Sequence, residues 1–171
     1  MAELEMQIEG YHELLGVFKV LENLLQNPVF QAAMIDCGQI VTEKAKQNLE
    51  EMVYSEPETW YKRKHSAGLY GKTMCSSDGV SPPKVDIEGT VASVIVGSFV
   101  NYAVHVHFGT GIYAENGNGR QTPWMYLDDD GIGHWTHGYP PKPYLTKALT
   151  DSKIETSQTI ADAILKIGGG R

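Results

Sequence analysis

The chain has 171 residues, of which 42% are hydrophobic and 20% charged, and it carries a net charge of −7 at neutral pH. That length supplies one domain with a proper core and is too short for two comfortable ones. The acidic balance argues against a nucleic-acid grip, which needs a basic stripe to neutralise phosphates, and no apolar run approaches the length of a bilayer span.

The first residues, MAELEMQIEGYHELL, are acidic and amphipathic and do not have the form of a secretory signal. Residues 11–25 place Tyr11, Leu14, Leu15, Phe18, Leu21, Leu24 and Leu25 on one stripe of a helix. Asn27-Pro28 then marks a junction, because Asn is a favoured N-cap and Pro tolerates the first helical position. A second helix runs to about Met52, with Phe30, Ala33, Met34, Cys37, Ile40, Val41, Ala45, Leu49 and Met52 as its buried side. The two helices are expected to form an antiparallel or angled hairpin. Cys37 and Cys75 belong to no Cys-x-x-Cys pair, so two reduced structural thiols in a cytosolic protein are expected.

From residue 54 to 84 the periodicity breaks. A strand over 69–75 is followed by turn chemistry in Ser76-Ser77-Asp78-Gly79 and Ser81-Pro82-Pro83. The short basic cluster Lys62-Arg63-Lys64 with His65 fits a solvated loop or a partner-facing patch. Val85-Asp86-Ile87-Glu88 alternates as a half-exposed strand should, and the β-branched run 91–97 is assigned to the sheet centre, the pair forming one bent strand or two. Residues 102–108 fit two periods. A strand groups Tyr102, Val104, Val106 and Phe108 against His105 and His107, whereas a helix groups Tyr102, Ala103, Val106 and His107. Gly109-Thr110-Gly111 ends the element either way. A loop over 112–123 precedes a hairpin, 124–127 with 134–136, whose tip is Asp128-Asp129-Asp130-Gly131. Pro140, Pro141 and Pro143 stiffen the approach to a last helix over 144–167.

Catalytic signals are weak. His105 and His107 on one strand face, with His134 and His137 near in a Gly-rich region, are the candidate metal set, since imidazoles at such spacing hold zinc with an open position for water. No Cys or acidic residue completes either motif. The acidic tip lacks the ligand register of an EF-hand, and neither a phosphate loop nor a nucleophile elbow is present. No catalytic residue, metal or cofactor is therefore assigned. A His-liganded zinc enzyme and a generic cytosolic interaction module are the alternative classes. Aromatic residues outside the periodic elements suit a protein-binding face, and Tyr113, Trp124, Tyr126, Trp135 and Tyr139 are the interface candidates.

The order Tyr102-Ala103, four residues, Phe108-Gly109-Thr110-Gly111, and then Pro141-Lys142-Pro143-Tyr144-Leu145 with Ala148-Leu149 resembles the neck or tail-completion family of long-tailed bacteriophages. Those proteins are head–tail joining or minor tail components. The resemblance spans residues 29–166, with Ala45-Lys46 and Gly68-Leu69 fitting its layout more loosely. His107 stands where the family commonly has an acidic residue, the insertion over 113–139 is long, and the first helix is an added piece. The resemblance implies an α+β fold, a small antiparallel sheet packed against two or three long helices with a long Gly/Pro/aromatic-rich loop or hairpin insertion. It also implies a homo-oligomeric ring of six copies between the head-connector or stopper proteins and the tail-tube or tail-terminator protein. Such a protein resides in the virion neck, and in the host cytoplasm during assembly. No membrane partner is implied. An acidic chain suits a conduit through which genome DNA passes without being held.

The expected layout is one domain over 1–171: an N-terminal helix (1–27), a helix plus sheet (28–111), an insertion (112–142), and a C-terminal helix with a Gly tail (143–171). Phe108 is expected to anchor the corner into the core, and Gly109 and Gly111 to permit a turn that a β-carbon would obstruct. Pro143, Tyr144 and Leu145 are expected to fix the last helix against the sheet.

Overall fold

Asn27 and Pro28 set the frame. In the computed structural model, which describes residues 11–55, 83–98, 102–127 and 131–169, Asn27 caps a helix by accepting the Val29 N–H on its side-chain oxygen at 2.9 Å. Pro28 takes the first helical position, where its missing N–H costs nothing. Helix α1 (Tyr11–Leu25) ends before this junction and α2 (Pro28–Leu49) begins after it, running on into a single π turn (Glu50–Tyr54). Along α2 the buried residues Phe30, Ala33, Cys37, Gly38, Thr42, Ala45, Asn48 and Leu49 recur every three or four positions, which makes one inward face. The predicted stripe matches it closely, although Met34, Ile40, Val41 and Met52 are only half-buried.

Helix α1 departs from expectation. Leu15, Phe18 and Leu21 stay exposed, and Leu25 is its one buried side chain among those described. The stretch of its stripe from Leu15 to Leu21 is therefore not covered by α2, whereas Leu24 and Leu25 at its end are half-buried and buried.

Strands β1 (Lys84–Glu88) and β2 (Val91–Ile95) form an antiparallel hairpin, with Lys84 opposite Ile95 and Glu88 opposite Val91. Gly89 turns the chain at φ +58°, so the pair is two strands and not one bent strand. Among the described residues there is no sheet centre for 91–97 to occupy, because this sheet has two strands and both alternate exposed with half-buried residues. The hairpin lies on α2 at Gly38. A β-carbon there would overlap Pro83 and sit 2.6 Å from Val94 Cγ1, so a bare backbone is what allows the contact. The fold is α+β, with β1–β2 and a second, separate hairpin in place of one sheet.

Residues 103–108 are helical, α3 (Ala103–Phe108), with the Tyr102 carbonyl accepting the His105 and Val106 N–H groups at 3.0 and 3.2 Å. Ala103, Val106 and His107 are buried. Phe108, one position and about 100° further round, is 47% exposed and does not anchor the corner; His107 holds that place.

The last helix is divided. Helix α4 (Tyr144–Asp151) stops at Ser152, and α5 (Lys153–Gly168) follows. Ser152 is fully buried and its hydroxyl donates to the Ala148 carbonyl. The Ser152 N–H donates to the same carbonyl at 3.0 Å, so the backbone ladder carries across the junction. Both segments pack along α2, and the Cys37 thiol donates to the Thr156 carbonyl across the α2–α5 contact at 3.5 Å.

The central cluster is Ala45, Leu49, Val53, Ala103, Val106, Tyr144 and Ala148, drawn from α2, the π turn, α3 and α4. Tyr144 is 1% exposed and sits in this cluster, not on the sheet. The buried Asn48 side chain donates to its carbonyl at 3.2 Å, tying α2 to the start of α4. No helix among the described residues is long and apolar enough to cross a membrane. The expectations for 56–82, including the basic cluster, the strand over 69–75 and Cys75, and the three aspartates of the acidic tip lie outside the described residues.

Candidate functional site

The two halves of the sequence motif meet at one corner. The Thr110 N–H donates to the Tyr139 carbonyl at 2.9 Å, and the Tyr139 N–H donates back to the Thr110 hydroxyl at 3.0 Å. Beside this pair the Ile112 N–H donates to the His137 carbonyl at 3.0 Å, and the Lys142 N–H donates to the Val106 carbonyl at 2.9 Å. Thr110 thus supplies a backbone donor and a side-chain acceptor to the same residue, which an apolar residue of equal size would not. Pro143 precedes α4 and Leu145 packs against the core cluster, so the 141–145 half of the motif is seated where α3 ends.

Two glycines make the approach possible. Gly109 has φ 72° and ψ 177°, a region that only glycine occupies without strain. A β-carbon on it would lie 2.8 Å from both the Tyr139 oxygen and the Pro141 nitrogen. Gly111 has φ +62°, and its β-carbon would strike the His137 carbonyl. The role expected for both residues is the one their geometry performs.

His107 fills the inside of the corner. It is 7% exposed, with Phe108 edge-on at 4.6 Å between ring centroids and Tyr144 at 5.4 Å. Its Nε2 lies 3.1 Å from the Thr146 hydroxyl, while Nδ1 is buried with no hydrogen-bond partner. Burial pushes its pKa below the ordinary imidazole value, and the Glu115 carboxylate opposes that shift. A neutral ring donating from Nε2 to Thr146 leaves only a lone pair unsatisfied at Nδ1. A protonated ring would bury a second N–H without an acceptor.

Between the two halves the chain makes an excursion. A 3₁₀ turn (Gly111–Tyr113) leads out, and the Glu115 N–H returns to the Phe108 carbonyl at 2.9 Å. The hairpin expected for 124–127 with 134–136 forms: strands β3 (Trp124–Leu127) and β4 (Gly133–Thr136) pair antiparallel, in a register that sets Met125 opposite Trp135 and Tyr126 opposite His134. Alternation gives it two unlike faces. On one, Tyr126 stacks on His134 at 5.4 Å and the Arg120 guanidinium lies 5.6 Å from the Trp124 ring. The other carries Met125, Leu127 and Trp135, all exposed, Trp135 at 73%. Tyr113 is exposed at the outward turn, and Tyr139, half-buried at the root, has the Lys142 ammonium 5.8 Å from its ring.

The histidines do not converge. His105 is exposed on α3 and His107 is buried on the same helix, so the shared strand face proposed for them does not exist. His134 belongs to β4, and His137 is exposed at the root. No three His, Cys, Asp or Glu residues among those described come together to hold a metal ion. Thr146, Asn48 and Gly38 were not singled out in the sequence. Only Gly38 carried a signal, a glycine in the middle of a helix. What the corner offers chemically is a rigid clasp and a projecting apolar surface. No family model, curated protein or solved structure matches the chain.

Proposed function

We propose that this chain is a non-enzymatic structural protein of a tailed bacteriophage, joining the head connector to the tail tube as one subunit of a ring. The observation that carries this reading is the clasp. The motif halves that resemble the neck and tail-completion family are far apart in sequence, yet they meet: Gly109 backs onto Pro141, the Lys142 N–H donates to the Val106 carbonyl, and Ala103 shares the core cluster with Tyr144 and Ala148, with the Thr110–Tyr139 hydrogen bonds closing the corner beside them. An order of residues arising by chance has no reason to meet in that way. The 113–139 insertion, whose two ends the clasp brings together, then contacts a neighbouring subunit or the connector. Its exposed Met125, Leu127 and Trp135 support this role, since aromatic and methionine side chains are enriched at interface cores. The net charge of −7 suits a channel wall that lets DNA slide.

Electron microscopy of a lysate from the encoding phage or prophage, with this gene disrupted, tests the proposal. Filled heads and separate tails accumulating side by side are expected. Normal complete particles would overturn it and leave a generic interaction module in its place.

A further inference from the structure

An asparagine side chain carries an electrophile that its own main chain can reach. The backbone nitrogen of the next residue can attack the amide carbon Cγ, and asparagine counts among the thermolabile residues. Attack is easiest when that next residue is glycine, whose missing β-carbon neither blocks the approach nor restricts the backbone. Glycine follows asparagine here at Asn116-Gly117 and Asn118-Gly119, both between Tyr113 and Trp124. The other asparagines precede Leu, Pro or Tyr.

The fold treats the two pairs differently. The Gly117 N–H donates to the Ala114 carbonyl at 3.0 Å, so the nitrogen that would attack Asn116 keeps its proton in a hydrogen bond. The Asn116 side chain is engaged as well, its Oδ1 accepting the Asn118 N–H at 3.4 Å. Cyclisation at Asn116 gives up both contacts. At the second pair no acceptor for the Gly119 N–H lies among the described residues, and the Asn118 side chain is likewise without a hydrogen bond there. Asn118 is exposed, so water and base reach it. Gly119 is held only from its other end, where Gln121 Nε2 donates to its carbonyl at 2.9 Å.

We propose that Asn118 is a site of spontaneous deamidation in the folded protein, while Asn116 is protected. The Gly119 nitrogen gives its proton to base in the solvent and bonds to Asn118 Cγ. The bond from Cγ to the side-chain nitrogen breaks, and ammonia leaves after taking up a proton from solvent. A five-membered succinimide results. Water then opens the ring: cleavage of the new Cγ–N bond gives aspartate, and cleavage at the main-chain carbonyl gives isoaspartate, whose chain runs through Cβ and Cγ. Water is the co-reactant, and nothing is oxidised or reduced.

What Gly119 touches gives the conversion its consequence. A β-carbon on Gly119 would overlap the Gly111 carbonyl oxygen and lie 2.8 Å from Ala114 Cβ, so the main chain rests on the turn at the hairpin's root. The adjoining Ile112 N–H is bonded to the His137 carbonyl in that root. Isoaspartate at 118 adds a carbon to the main chain immediately before this contact. Gly119 then loses its register on Gly111, and the root loosens as the protein ages. Conversion needs no partner and is independent of the ring reading.

The test incubates the purified full chain at pH 8, folded and in parallel in urea, followed by peptic digestion in acid. Mass spectrometry with electron-transfer fragmentation places each gain of one mass unit at 116 or 118 and distinguishes isoaspartate. In urea the two asparagines should convert at similar rates. In the folded chain Asn118 is expected to convert roughly two- to tenfold faster than Asn116, the factor that one retained backbone hydrogen bond is worth. Equal rates in the folded chain, faster conversion of Asn116, or an Asn118 that converts only in urea would each overturn the proposal. Hydrogen exchange at the Ile112 amide should quicken on ageing in the natural protein and stay constant in Asn118→Gln, whose larger ring closes far more slowly. Identical ageing in the two proteins would overturn the loosening of the root.

Discussion

His107 Nε2 and the Thr146 hydroxyl face each other at 3.1 Å across the α3–α4 contact, and that pairing decides which protonation state the corner accepts. The neutral ring satisfies it, whereas the imidazolium would bury an unmatched N–H at Nδ1.

Stability should therefore fall on the acid side. Burial depresses the folded-state pKa below the unfolded value of about 6.5. Above that value both states are neutral and no penalty arises. As pH drops below about 6.5 the unfolded chain takes up a proton that the folded chain resists, so the folded state loses ground until its own lower pKa is passed. Urea midpoints at pH 8 and pH 5 should differ more in the natural protein than in His107→Gln. Equal differences would assign the effect to other groups.

Gly109 should tolerate no side chain. Its φ and ψ are open only to glycine, and a β-carbon meets two backbone atoms at 2.8 Å that cannot swing aside. Gly109→Ala is expected to cost about 3 kcal/mol from strain and overlap together, a drop of roughly 6–12 °C in thermal midpoint for a chain of this size. Gly109→Val should fail to yield folded protein and should block particle assembly. Wild-type levels of complete particles from Gly109→Val would contradict the role given to it.

Asn48 should matter more than its surroundings suggest. It is 3% exposed in an apolar cluster and its amide caps the Tyr144 carbonyl. Removing it loses a buried hydrogen bond between α2 and α4 and leaves a small cavity, at a cost of about 1–3 kcal/mol. Asn48→Ala is expected to lower the unfolding free energy, read from a urea titration, by that amount. A shift within about 0.5 kcal/mol, as for an ordinary surface position, would mean that water replaces the amide.

The sequence disclosed features whose cause is local. Asn27-Pro28 marked the start of α2 because a cap and a fixed φ are properties of those two residues alone. The 124–136 hairpin was legible from two short segments flanking an acidic, Gly-containing turn. Residues 102–108 stayed ambiguous because six residues satisfy both periods, and tertiary burial of Ala103, Val106 and His107 decides between them. The same decision moved Phe108 out and His107 in. The division at Ser152 left no mark in the sequence, where a serine within a helical pattern is ordinary. The clasp itself was visible only as two short segments in a particular order. That they touch depends on close backbone approaches at Gly109 and Gly111, which composition does not record.

Helix α1 supplies the last expectation. Leu15, Phe18 and Leu21 are exposed, so they contribute little to holding the subunit together. Phe18→Ser with Leu21→Ser should change the unfolding free energy by no more than about 0.5 kcal/mol, the usual effect of surface positions. If the stripe instead folds onto α2 in solution, losing two buried apolar side chains would cost several times as much, about 4 kcal/mol or more. A urea titration of the double variant separates the two cases in one experiment. A small change would also predict that trimming the chain before Asn27 leaves a folded, clasped subunit, because the capping oxygen of α2 and all of the central cluster lie after that point.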